Sequence, residues 1–182
     1  MHEMTAANLR SAFGGESMAH MRYKVWGAKA GAEGYPNVAR LFVAIASAEQ
    51  VHATGHFKAM KDVGGAFLVA AGGGFGLTAT SENLAGAIQG ENFEVAEMYP
   101  SYIAVAEDQD EKAAVRSCRY ALEAEKLHAA LYTRAKEAVD AGKDVELAAV
   151  QVCSVCGHTV EGDAPDACPI CAAVKAKFTA FE

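Results

Sequence analysis

Proline is scarce in this sequence of 182 residues, with four in all. That scarcity, together with abundant alanine up to about residue 140, leaves long stretches free to pack as helices. No basic patch is interleaved with aromatic residues, so nucleic acid is a poor partner. The longest uncharged run, Val63 to Ser81, holds six glycines and no sustained apolar block, which argues against a membrane span. Residues 1–13 carry Glu3 and Arg10 and lack the apolar stretch of a secretion signal, so a cytoplasmic protein is expected. Gly72-Gly73-Gly74-Phe75-Gly76 lacks the Lys-Ser/Thr and the strand-helix setting of a phosphate loop and reads as a flexible connector. No dinucleotide fingerprint occurs either.

A hydrophobic fraction of 52% is ample for a core. The formal charge of −7 suggests an acidic surface, but residues 1–150 carry 19 acidic and 14 basic side chains. That excess of five equals the number of glutamates proposed below as metal ligands. Four of the five cysteines fall in the last thirty residues, which favours one domain with a small appendage.

Two short signatures repeat: Glu49-Gln50-Val51-His52 and Glu125-Lys126-Leu127-His128. On an α-helix each Glu-x-x-His step places carboxylate and imidazole one turn apart on one face. Glu16 precedes Glu49 by 33 residues and Glu91 precedes Glu125 by 34, so a helix pair is used twice. Apolar spacing predicts helix one over 5–32, helix two over about 37–62 and helix four over about 110–140. Thr80 or Ser81 can cap helix three, which Pro100 should kink or divide. The link over 64–80 is long enough for the crossover of ferritin-like bundles.

Burying one unpaired glutamate is expensive, so a face bearing several must either be solvated or bind cations, and here the glutamates sit among Ile45, Ala48, Val95, Met98 and Leu122, which belong inside. Four carboxylates and two histidines from four helices suit a pair of iron or manganese ions. Glu94, one turn after Glu91, has Ala19 as its counterpart in the first half and could give one metal an extra oxygen ligand. His20 and His56 read as supporting or core residues, Tyr23 and Tyr99 as hydrogen-bond donors to the site or core tyrosines, and Cys118 as core.

Near the C-terminus, Cys153-x-x-Cys156 and Cys168-x-x-Cys171 are two knuckles separated by eleven residues. In a reducing compartment such pairs bind a metal before they form disulfides. Four thiolates accept zinc or iron alike. Val152, Val155, Ile170 and Phe178 are candidates for shielding the sulfurs. The domains expected are 1–140, a linker over 141–150, and 151–182.

Gly15-Glu16-Ser17, Glu49 to His52, Gly90-Glu91-Asn92-Phe93-Glu94 through Met98-Tyr99-Pro100, Glu125 to His128 and the paired Cys-x-x-Cys knuckles together resemble rubrerythrin. The resemblance implies an all-α four-helix ferritin-like domain with a non-haem di-iron site, then a rubredoxin-like domain with one iron on four cysteines. It implies that Glu16, Glu49, Glu91, Glu94, Glu125 and His128 are ligands and that His52 exchanges with Glu94 as one iron changes oxidation state. Tyr23 and Tyr99 become hydrogen-bond donors to the site, and Cys153, Cys156, Cys168 and Cys171 the ligands of the third iron.

The implied activity is reduction of hydrogen peroxide to water in oxidative-stress defence, with electrons arriving through the rubredoxin-like iron. The donor would be a separate NAD(P)H-linked reductase, a rubredoxin or a ferredoxin-type protein. A head-to-tail homodimer would bring the two centres together. A ferroxidase or iron-storage protein, or an electron-carrier module without turnover, are the alternatives.

Overall fold

A computed structural model describes all 182 residues. Two long helices, α1 (Glu3–Ala32) and α2 (Pro36–Ala59), form an antiparallel hairpin through a turn at Glu33–Tyr35. Pro36 opens α2 at a position where its missing N–H costs nothing. The second pair consists of α3 (Thr80–Phe93), α4 (Tyr99–Asp108) and α5 (Lys112–Asp140). A π-helical turn, Glu94–Met98, joins α3 to α4. The break expected from Pro100 is therefore absorbed within a continuing helix. A widened turn leaves room for the ring one residue into α4.

The connection over residues 60–79 runs along α1 as the crossover. Arg22 and Trp26 donate to the carbonyls of Gly74 and Gly76, and Ser11 donates to that of Ala70. Gly73 lies against the end of the Met18 side chain, which a Cβ there would displace. The Thr80 or Ser81 cap expected for α3 is replaced by a longer-range one. Ala79 is the capping residue, without a side-chain bond, and Glu33 from the end of α1 accepts both the N–H and the hydroxyl of Thr80.

Beyond α5, strands β1 (Val150–Cys153), β2 (Thr159–Glu161) and β3 (Phe178–Phe181) form an antiparallel sheet in the order β2-β1-β3. Val150 and Val152 belong to the same buried cluster as Tyr23, Phe42, Ile45 and Tyr132, so this small sheet is seated on the bundle. Val152 thus packs towards the helices and Val155 is exposed, contrary to the shielding role expected for them. Ile170 and Phe178 do pack against the cysteines, with Tyr120 of α5. No helix is long and apolar enough to cross a membrane.

Candidate metal centres

The helical period delivers Glu16 from α1, Glu49 and His52 from α2, Glu91 from α3, and Glu125 and His128 from α5 to one point inside the bundle. All six are buried. Their ligand atoms fall into two overlapping groups: Glu16, Glu49, His52 and Glu125, and Glu49, Glu91, Glu125 and His128, each within 4.8 Å. Glu49 and Glu125 belong to both, the geometry of two carboxylates that bridge a pair of ions. Each histidine turns Nδ1 inward, His52 to 2.7 Å from Glu125 and His128 to 2.6 Å from the same residue.

The buried carboxyls and imidazoles of the cluster shift one another's protonation. Burial pushes the Glu49 carboxyl up, and the neighbouring charges of Glu125 and Glu16 add to this, to about 7. Glu91 is raised by burial and then by Glu49 and Glu125. Burial also opposes the charge on Glu125, but the imidazoliums of His52 and His128 more than reverse it and hold it at about 2. Burial disfavours charge on both imidazoles, yet Glu125 above all raises each well beyond its usual range.

Even so, Glu16 Oε2, Glu49 Oε1, Glu91 Oε2 and Glu125 Oε1 lack any hydrogen-bond partner. Orphaned buried carboxylate oxygens, two from shared residues and one from each unshared one, fit a dinuclear cation site.

A pH dependence follows. Glu49 and both histidines have folded pKa values above their unfolded ones, so their contribution is full at low pH and is lost as pH rises through the folded values. The metal-free protein is expected to lose stability as pH rises from about 4.5 through about 7, with Glu49 contributing to that loss. Ferrous affinity should climb over the same window, as metal displaces those protons. Urea midpoints of metal-free protein that stay flat or rise across it would contradict this.

Tyr23 donates to Glu91 at 2.6 Å, and the Tyr99 hydroxyl donates to Glu16. Glu94 sits in the π-helical turn, half-buried, outside both ligand groups. Loss of water around its carboxyl and then the charge of Glu16 push it upward. In this arrangement His52, and not Glu94, faces the first ion position. His20 donates to the Ala46 carbonyl and Cys118 is core.

The four cysteines converge, with Sγ of Cys153 3.7 Å from that of Cys171 and Sγ of Cys156 3.5 Å from that of Cys168. A tetrahedron with metal–sulfur bonds of about 2.3 Å has edges of about 3.8 Å, whereas a disulfide needs about 2.05 Å. The knuckles are therefore spaced for a metal.

Sequence reasoning missed how the two centres meet. His128 Nε2–H donates to Thr159 Oγ1 at 2.9 Å, and Thr159 in turn donates to the Gly157 carbonyl at 3.0 Å. This fixes the tautomer that leaves Nδ1 free for a metal. Gly157, one residue beyond Cys156, lies against His52 with φ +79, and a Cβ there would stand 2.0 Å from His52 Nε2. Alanine at Gly157 is accordingly expected to unseat the sheet and speed hydrogen exchange of residues 150–161 about tenfold or more, with bundle helicity unchanged. Unaltered exchange would show that the contact is dispensable.

The sequence model described as Rubrerythrin matches residues 7–136, and that described as Rubrerythrin, rubredoxin-like domain matches residues 151–179. The chain belongs to the rubrerythrin family. It is 49% identical to Rubrerythrin-2 of Clostridium acetobutylicum over 178 residues, covering 98% of this chain and 97% of that one. Nigerythrin of Nitratidesulfovibrio vulgaris is 32% identical, with 97% and 86% covered. A nigerythrin structure in a mixed-valent state superposes with a TM-score of 0.85 at 31% identity, covering 97% of this chain and 86% of that one, and a fully reduced, all-ferrous one with 0.81 at 33% and the same coverage. As in the rubrerythrin family, the buried Glu/His cluster is a di-iron site and the four cysteines form a rubredoxin-like iron site.

Proposed function

We propose that the protein is a peroxidase that reduces hydrogen peroxide to water in defence against oxidative stress. The observation that carries this reading is the seat of the four-cysteine module against the outer nitrogens of His52 and His128. Storage of iron gains nothing from an electron carrier placed there, whereas a site that must be re-reduced after every turnover does.

Glu16, Glu49, His52, Glu91, Glu125 and His128 would hold the two irons, and Glu49 and Glu125, which belong to both ligand groups, would serve each of them. Glu94 would be the residue that exchanges with His52 on a change of oxidation state, and its place in a π-helical turn supports such movement. When bound, the ion pair supplies Lewis acidity and two electrons. Tyr23 and Tyr99 orient Glu91 and Glu16 through their hydroxyls and hold protons beside the departing oxygens. Cys153, Cys156, Cys168 and Cys171 hold the iron that returns electrons one at a time.

The external donor is an NAD(P)H-linked reductase, a rubredoxin or a ferredoxin-type protein, and the setting is the cytoplasm, where unpaired thiols stay reduced. The assembly we propose is a homodimer, supported by exposed Phe67, Leu68, Phe75 and Leu77 on the crossover. A head-to-tail arrangement is one way to join the two centres, and the contact within a single chain is another.

The test is to reduce the iron-loaded protein anaerobically and mix it with peroxide or with oxygen. Reoxidation much faster with peroxide is expected. Reoxidation faster with oxygen would reject the peroxidase in favour of an iron-oxidising protein.

A further inference from the structure

One chain of hydrogen bonds leads from the edge of the bundle to the di-iron site. Ser117 Oγ, half-buried on α5, lies 2.9 Å from His56 Nδ1, His56 Nε2 lies 3.0 Å from the Tyr99 hydroxyl, and that hydroxyl donates to Glu16. His56 and Tyr99 are fully buried.

The direction of the chain follows from donor counting. A phenol has one proton, and Tyr99 spends it on the Glu16 carboxylate, so its oxygen must accept the Nε2–H of His56. His56 thus carries a proton on Nε2. Its Nδ1 faces the Ser117 hydroxyl at 2.9 Å and takes a proton from it when that nitrogen is bare. Across from Ser117, α2 carries Gly55, where a Cβ would stand 3.1 Å from Ser117 Oγ. The lack of a side chain there leaves room beside that hydroxyl. Neighbouring Cys118 offers no competing anion, since burial and then the charge of Glu16 push its thiol up to about 12.

We propose that Ser117 and His56 form a proton-delivery path into the di-iron site, ending on the Tyr99 hydroxyl. This rests on the peroxidase reading. Turning one hydrogen peroxide into two waters breaks the O–O bond and takes two electrons, from the two ferrous ions, and two protons. The path supplies one of these protons and bulk water the other. Tyr99 releases its hydroxyl proton towards the departing oxygen and takes the Nε2 proton of His56. The imidazole takes the Ser117 proton on Nδ1, and water restores the serine hydroxyl. No net charge is left on the path, and the ring regains its starting tautomer between turnovers. His56 and Ser117 act through Tyr99 and are positioning residues, not catalytic ones.

Three variants and one spectrum test the path. His56→Gln can still donate an N–H to Tyr99 and fill the space, but it passes protons poorly. Its single-turnover reoxidation by peroxide is expected to slow on the order of a hundredfold, with iron content unchanged and a larger solvent deuterium isotope effect. Ser117→Ala should behave likewise and Ser117→Thr should restore the rate. Independently of turnover, 15N NMR of the metal-free protein should show a proton on His56 Nε2. A ring with its only proton on Nδ1, or a His56→Gln protein with the parent rate and isotope effect, overturns the path while leaving the peroxidase reading intact. A parent protein inert to peroxide would sink both, and the tautomer would still report on the hydrogen-bond chain.

Discussion

Alanine in place of Glu125 is expected to lower the iron content from about three per chain to about one, whereas alanine at Glu16 or Glu91 should leave about two. The difference arises from the overlap of the two ligand groups. Glu125 belongs to both, and Glu16 and Glu91 to one each. Removing Glu125 also takes away the carboxylate nearest to both imidazoles, at 2.7 Å from His52 and 2.6 Å from His128. Both histidines then lose the main cause of their raised pKa and face the cost of burial alone. The metal-free variant should therefore hold its histidines neutral at pH 7, which NMR titration would reveal. Equal iron loss in all three variants would contradict the bridging role.

Serine in place of Cys168 is expected to bleach the four-cysteine iron and unfold residues 150–181, with the bundle's helicity unchanged. The sheet has strands of three or four residues, and its exposed face buries little apolar surface. Val150 and Val152 anchor it to the bundle, but Cys153, Cys156 and Cys168 form a buried cluster of their own. Four thiolates brought together without a metal repel or must stay protonated, so the metal supplies much of the folding energy of the module. Loss of the module should cut peroxide turnover by orders of magnitude, although the first reaction of reduced di-iron site with peroxide should persist. Hydrogen exchange across residues 150–181, alongside steady-state turnover, separates the two effects. A variant that keeps a protected sheet without its metal would refute the folding role.

The convergence of four glutamates and two histidines, though not the place of Glu94 outside them, was legible because a helix converts sequence spacing directly into a shared face. Glu-x-x-His at 49–52 and at 125–128 needed no knowledge of tertiary structure to place its two side chains together. Two knuckles closing on one ion follow from spacing in the same way.

Contacts between remote segments carry no such spacing. Nothing in the sequence ties Gly157 to His52 or Thr159 to His128, because their proximity depends on how the sheet docks through Val150 and Val152. The same docking turned Val152 away from the sulfurs and left Val155 in solvent. The cap of α3 failed for a related reason, since Glu33 competes successfully with local side chains for the Thr80 N–H. His56 gave a faint signal, one turn beyond His52, but its partners Ser117 and Tyr99 lie 61 and 43 residues away.

The central claim is that electrons on the four-cysteine iron reach peroxide through the carboxylate-bridged site. Stopped-flow absorbance of the fully reduced protein mixed anaerobically with peroxide follows the ferric four-cysteine band directly. Prompt appearance of that band in the parent protein, and its absence in the Glu125→Ala protein with the four-cysteine iron intact, is the expected result. Equally fast appearance in both proteins would show that peroxide meets the four-cysteine iron without the bridged site, and would contradict the account.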